Sequence, residues 1–200
     1  QGRAAGADGG DLVAAVDPGG EAARLLAAVA ERDLKLTKIL LTHGHLDHVG
    51  AAAEIARQQQ IPIIGPHREE QFWLDRLPQQ SQMFGFDHCP AFTPDQYLAE
   101  GDQVMVGQEQ LEVRFCPGHT PGHIVFIHHP SAMLWVGDVL FAGSIGRTDF
   151  PRGDHTTLLN SIRNRLLTLD DHYQLVPGHG PNTNIGRERI TNPYLRDDPY

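Results

Sequence analysis

Apolar and polar positions follow two different periods along this chain, and the change between them sets its architecture. Residues 12–16 form a compact apolar run closed by Asp17-Pro18-Gly19-Gly20, which reads as a strand entering a turn. Residues 21–32 put Ala22, Leu25, Leu26 and Val29 on one stripe, with Glu21 in the first turn, the pattern of an amphipathic helix. A second strand is predicted at 38–42 and a helix at 49–58, whose apolar face is Ala51, Ala52, Ile55 and Ala56. A third strand is predicted at 61–64. This β-α-β-α-β order predicts a layered α/β fold with short connections.

Residues 69–77 read as a helix that Pro78 ends, followed by an irregular loop over 79–94. Phe84, Phe86 and Phe92 in that loop read as satellite core, with the lining of a substrate entrance as the other use. Met83, His88 and Cys89 carry no assignment. The period then becomes two. Val104 and Val106, then Leu111, Val113 and Phe115, alternate with polar residues across Gly107, as a hairpin buried on one face should. Further strands are predicted at 124–127, 134–136 and 174–176. A helix is predicted at 154–167, with Leu158, Leu159, Ile162 and Leu166 facing inward. Two strand-rich regions flanked by helices predict two sheets packed face to face with helices outside. There is no internal repeat.

Composition narrows the picture without redirecting it. A chain of 200 residues buries roughly 70% of its unfolded surface, so Cys89 and Cys116 are not needed as a staple and a reducing compartment fits. The net charge is −9, and the scattered Lys and Arg residues argue against nucleic acid or an anionic membrane as partner. No apolar stretch suits a membrane span. Gln1 stands where an initiator Met would, and residues 1–10, rich in Gly and Ala, offer no signal-peptide core and do not look like a strand. A cytoplasmic location is the expectation. The oligomeric state is not expressed in the pattern.

The chemistry concentrates at residues 42–50, Thr-His-Gly-His-Leu-Asp-His-Val-Gly, between a predicted strand and a predicted helix. Imidazole nitrogen and carboxylate oxygen are the ligands that zinc and neighbouring divalent metals prefer, and strand ends in α/β sheets are where ligands bind. Three more strands end in Gly-flanked candidates: His119 and His123 in 117–123, Asp138 after Gly137, and His179 between Gly178 and Gly180. Glycine beside each donor lets the backbone approach a crowded centre.

Through its His-X-His-X-Asp-His loop and the later His, Asp and His, nearly the whole chain resembles the metallo-β-lactamase superfamily. The resemblance implies a four-layer αββα sandwich, here a single domain over residues 1–200. It implies one metal held by His43, His45 and His119, a second by Asp47, His48 and His179, and Asp138 bridging both. Asp47 and Asp138 are then the catalytic carboxylates. Two divalent ions per chain follow, with zinc the first candidate and iron or manganese compatible with the same ligands. Asp17 matches the family's leading aspartate, which orients the ligand loop. A plain turn or N-cap Asp is the other reading.

Within the superfamily, residues 42–53, 117–123, 146–155 and 192–195 resemble single-domain glyoxalase II-like hydrolases. That likeness implies hydrolysis of S-lactoylglutathione or a related acyl thioester by a metal-bound hydroxide, with a small glutathione conjugate as partner. The separate C-terminal domain that holds glutathione in two-domain relatives has no counterpart. Arg187, Arg189 and Arg196 either supply part of that grip or are surface residues. Arg147 and Asp149 either shape the pocket beside the metals or form a surface ion pair.

Cys116 reads as a buried structural thiol. His67, His128, His129 and His172 read as solvent-facing, His155 as part of a helix cap, and His123 as support for His119 or a backbone-satisfied strand start. The alternative function is an iron-dependent glutathione persulfide dioxygenase using His43, His119 and Asp138. The Gly-Pro flanks of His179 resemble the hydrolase pattern instead.

Overall fold

The structure, a computed structural model, describes residues 4–5 and 11–196. A two-residue strand, β1 (Ala4–Ala5), pairs antiparallel with the start of β2 (Asp11–Val16). This corrects the expectation of no strand upstream; the signal-peptide reading otherwise falls outside the described residues. After the turn, α1 (Ala22–Glu31) leads to β3 (Leu34–Leu40), parallel to β2. β3 begins earlier than predicted, because Leu34 and Leu36 alternate with Lys35 and Thr37 and extend the half-buried pattern.

The helix predicted at 49–58 is two helices, α2 (Leu46–Val49) and α3 (Ala52–Gln59). The break has a cause: the Ala51 amide donates to the Pro18 carbonyl at 2.9 Å, so the 17–20 turn is seated against the chain there. β4 (Ile63–Ile64) closes this parallel run beside β3. A 3-10 turn (Arg68–Glu70) then leads into α4 (Gln71–Leu74) and α5 (Leu77–Phe84). Pro78 therefore opens a helix where it was expected to end one, since a first-turn residue needs no amide donor.

The second sheet is built from β5 (Gln103–Val106), β6 (Glu109–Phe115), β7 (Ile124–His128) and β8 (Met133–Gly137), an antiparallel meander. Two short strands, β9 (Leu140–Phe141) and β10 (Ser144–Ile145), form a ribbon after it. Then come α6 (His155–Ser161), capped by Asp154 and continued by a π turn (Ile162–Leu166), and β11 (Gln174–Pro177), parallel to β8. β12 (Thr183–Asn184) and α7 (Ile185–Thr191) complete it. The sheet orders are β1-β2-β3-β4 and β12-β11-β8-β7-β6-β5.

Three apolar clusters show how the layers stack. Leu40, Ile64, Val113, Ile124 and Phe126 lie between the sheets. Ile39, Leu41, Ala52 and Ile55 pack the outer face of the first sheet under its helices. Val125, Ile127, Leu134, Leu158, Ile162 and Leu166 do the same for the second. Neighbours along β7 thus face opposite layers, and all five of its residues are buried. The result is the expected αββα sandwich. Among the described residues no helix is long and apolar enough to cross a membrane.

Candidate metal centre

Seven predicted donors from four strand ends meet in one place. β3 delivers His43, α2 starts just after His45 and carries Asp47 and His48, and β8 and β11 deliver Asp138 and His179. His119 lies on the loop between β6 and β7. His45 Nδ1 and His119 Nε2 are 3.1 Å apart, and donor atoms of His43, His45 and His119 all lie within 4.8 Å of one another. Asp47, His48 and His179 form a second such group. In it, His179 Nε2 is 3.1 Å from Asp47 Oδ2 and 3.3 Å from His48 Nε2. Asp138 stands between the groups. Its Oδ1 is 3.3 Å from His48 Nε2, and its Oδ2 is 3.6 Å from both His119 Nε2 and His179 Nε2.

These separations suit a metal. Tetrahedral ligation at ~2.0–2.1 Å places ligand atoms roughly 3.3 Å apart. His43 Nε2 and His45 Nε2 are also buried without a hydrogen-bond partner, a costly arrangement that a cation relieves.

The electrostatics agree. Burial, reinforced by neighbouring imidazoles, drives His43 well below its ordinary pKa and His45 down to about 3. Neutral imidazole is the form that binds metal. Burial would also lower His48, but hydrogen bonds to Asp138 and Asp17 outweigh it and hold the ring up to about 10. Asp138, despite burial, is held down to about 2 by His48 and the surrounding imidazoles. A proton on His48 between two carboxylates occupies the place in the charge balance that a cation would fill.

Supporting residues follow the expectations in part. Asp17, at a φ of 48°, accepts from the Thr42 amide (2.8 Å), the Thr42 hydroxyl (2.6 Å) and His48 Nδ1 (3.1 Å), so it orients the ligand loop. His119 Nδ1 donates to the Arg147 carbonyl at 2.7 Å. His123 is buried, stacked on His43 at 4.7 Å, and its Nε2 accepts from the Asp138 amide. Arg147 and Asp149 form a bidentate pair at the surface, with the guanidinium 4.0 Å over Phe150, and the pairing holds Asp149 down to about 2.

Cys116 is fully buried in the apolar cluster under α6, and burial raises its thiol pKa, which fits a structural role. Arg189 binds Asp171 and two carbonyls away from the donors. His128 corrects the sequence reading: it is 5% exposed and paired with Glu109 at 2.7 Å.

His45, Asp47, His119, Asp138 and His179 floor a cleft of about 540 Å³. Trp73, Phe84, Phe86, Phe141, Ile145 and Phe150 wall it, so two of the three loop aromatics line the entrance. Phe92 instead packs on the outer core. Arg147 is the one Lys or Arg among the described lining residues. Sequence reasoning passed over Glu70, fully buried, and Trp73, whose ring meets His45 edge-on at 4.5 Å. The Phe72-Trp73-Leu74 run gave a signal for the second only.

Comparison with known proteins places this geometry. Residues 8–179 match the family profile of the metallo-beta-lactamase superfamily. Hydroxyacylglutathione hydrolase GloC of Haemophilus influenzae is 48% identical over 183 residues, covering 91% of this chain and 86% of that protein. Among solved structures, the BLEG-1 B3 metallo-beta-lactamase superposes with a TM-score of 0.85 at 37% identity, covering 96% of this chain and 92% of that one. TTHA1623, solved in a di-iron-bound form, gives 0.84 at 36% identity, with coverage of 93% and 90%.

Proposed function

The chain belongs to the metallo-beta-lactamase superfamily and is a metal-dependent hydrolase; from that premise we propose that it hydrolyses an acyl thioester of the S-lactoylglutathione type. The observation that carries this reading is the position of Asp138 between two complete donor groups. We assign His43, His45 and His119 to one ion, Asp47, His48 and His179 to the other, and Asp138 to both. Zinc is the first candidate, and the di-iron neighbour keeps iron in view. When bound, two such ions supply an acidified water and positive charge for a developing oxyanion.

The chain's own groups do the rest. Asp17 and the Arg147 carbonyl fix the rings of His48 and His119, so the donors are held before substrate arrives. Asp47, half exposed at the cleft floor, is placed to take the proton that the attacking water loses. As water adds to the acyl carbon, the C–S bond breaks, and the sulfur leaves as thiolate without a dedicated acid because thiols ionise near ~8.5. The aromatic wall excludes water and packs the apolar parts of the substrate, and Arg147 is available to a substrate carboxylate by exchange from Asp149.

The alternative is a glutathione persulfide dioxygenase using His43, His119 and Asp138 with one iron. It leaves the second donor group without a use, which is why hydrolysis is preferred. Parallel assays decide. Release of glutathione from S-lactoylglutathione is the expected result; oxygen consumption with glutathione persulfide and an untouched thioester would overturn the hydrolase reading. A β-lactam arm tests the BLEG-1 likeness, with no turnover expected.

A further inference from the structure

Glu70 is a fully buried carboxylate at the end of the 3-10 turn, outside the donor groups. Its Oε2 accepts from the Gly44 amide at 2.7 Å and its Oε1 from the Gly122 amide at 2.6 Å. Gly44 separates His43 from His45, on the loop that follows the first sheet. Gly122 sits between His119 and His123, on the loop that enters β7 of the second. One side chain therefore ties together the two loops that must converge for the first donor group to exist.

The glycines themselves record the fit. A Cβ on Gly44 would lie 2.9 Å from Trp73 Cβ and 3.1 Å from Glu70 Oε2. A Cβ on Gly122 would lie 2.7 Å from the Glu70 backbone nitrogen and 2.8 Å from its Cγ. Both positions are glycine because the turn carrying Glu70 is pressed against them. Burial drives the Glu70 carboxyl up to about 7 against the pull of the Thr120 side chain and the two amide donors. Arg152, whose charge also favours the ionised carboxylate, pairs with exposed Glu69 at 3.1 Å.

We propose that Glu70 is a positioning residue: by accepting one amide from each loop it sets the distance between the His43–His45 pair and His119, and so the affinity of that site for its ion. The proposal rests on the two-ion reading above. It involves no contact with substrate or with a histidine ring.

Glu70→Gln is the informative substitution, because it keeps the volume yet turns an NH₂ toward one of the two amides, losing one bond and adding a donor–donor clash. Metal-free protein, titrated with Zn²⁺ against a chromogenic chelator, yields the ion affinities. Co²⁺ absorption reports coordination geometry. Glu70→Gln should weaken one of two sites by about 10–100-fold and alter the Co²⁺ spectrum, leaving the other site unchanged. Glu69→Gln, the exposed neighbour, should change neither.

Unchanged affinities in folded Glu70→Gln would overturn the assignment. So would an equal weakening of both sites alongside a lowered melting temperature, the mark of a merely structural residue. If wild-type protein takes up a single ion, the two-ion reading falls, while the role of Glu70 stands if the substitution still weakens that ion and falls if it does not.

Discussion

His179 is the proposed donor whose removal should separate the two halves of the centre. It is 56% exposed, and its Nε2 completes the group with Asp47 and His48. His179→Ala should take the metal content from about two ions to about one per chain by elemental analysis, with folding stability within ~0.5 kcal/mol because the side chain supports little else. Full activity with unchanged metal content would contradict the assignment. That these seven residues come together was legible because they cluster in glycine-punctuated motifs whose chemistry admits few other uses. Glu70 was not: next to Glu69 in a helix-like stretch, it looks like ordinary solvated surface. His128 was misread for a related reason. Its burial depends on Glu109, which pairs with it across 19 residues of sequence, and one strand cannot announce its partner.

Among the elements, β7 is buried on both faces and lies between the two layers of core. Phe126 fills the space between the sheets beside Val113 and Trp135. Phe126→Ala should cost about 3–5 kcal/mol in a denaturant titration, through lost burial and the cavity left behind. A cost under ~1 kcal/mol would mean that the sheets collapse onto the gap. The longer strands of this sheet were predicted within a residue or two, because a short apolar run or a two-residue alternation between turn signals suits little besides a strand. β9, β10 and β12 were invisible, since two residues carry no period. α7 was missed because Ile185 is buried in the apolar cluster under α6 and Glu188 accepts from Thr183 and Asn192, contacts set by tertiary structure. Pro78 shows the limit of reading a breaker without its context: the same residue ends one helix or opens the next.

For the whole molecule, the donors impose a pH dependence on the metal-free fold. Burial keeps His43, His45, His119 and His123 below the ordinary value of 6.5. Below that pH the unfolded chain binds protons the fold refuses, so stability rises with pH across the window. Glu70, raised from 4.5 to about 7, acts oppositely there, because the fold holds its proton more tightly. It is one group against four. His48, raised to about 10, costs stability only as pH climbs above 6.5. In chelator, the melting temperature should therefore fall as pH drops from about 7 to about 5, and divalent metal should raise it by binding only the folded form; a flat profile would contradict the neutral cluster.

The division of the donors has another consequence. His43, His45, Asp47 and His48 follow the first sheet, whereas His119, Asp138 and His179 follow strands of the second, and the exposed stretch from Phe84 to His88 joins the two halves. A nick there leaves two fragments, neither with all the residues of either proposed ion site. Each would hold an ion weakly by itself, so reassembly of the cut chain becomes a switch thrown by the metal, with chelator as its off position.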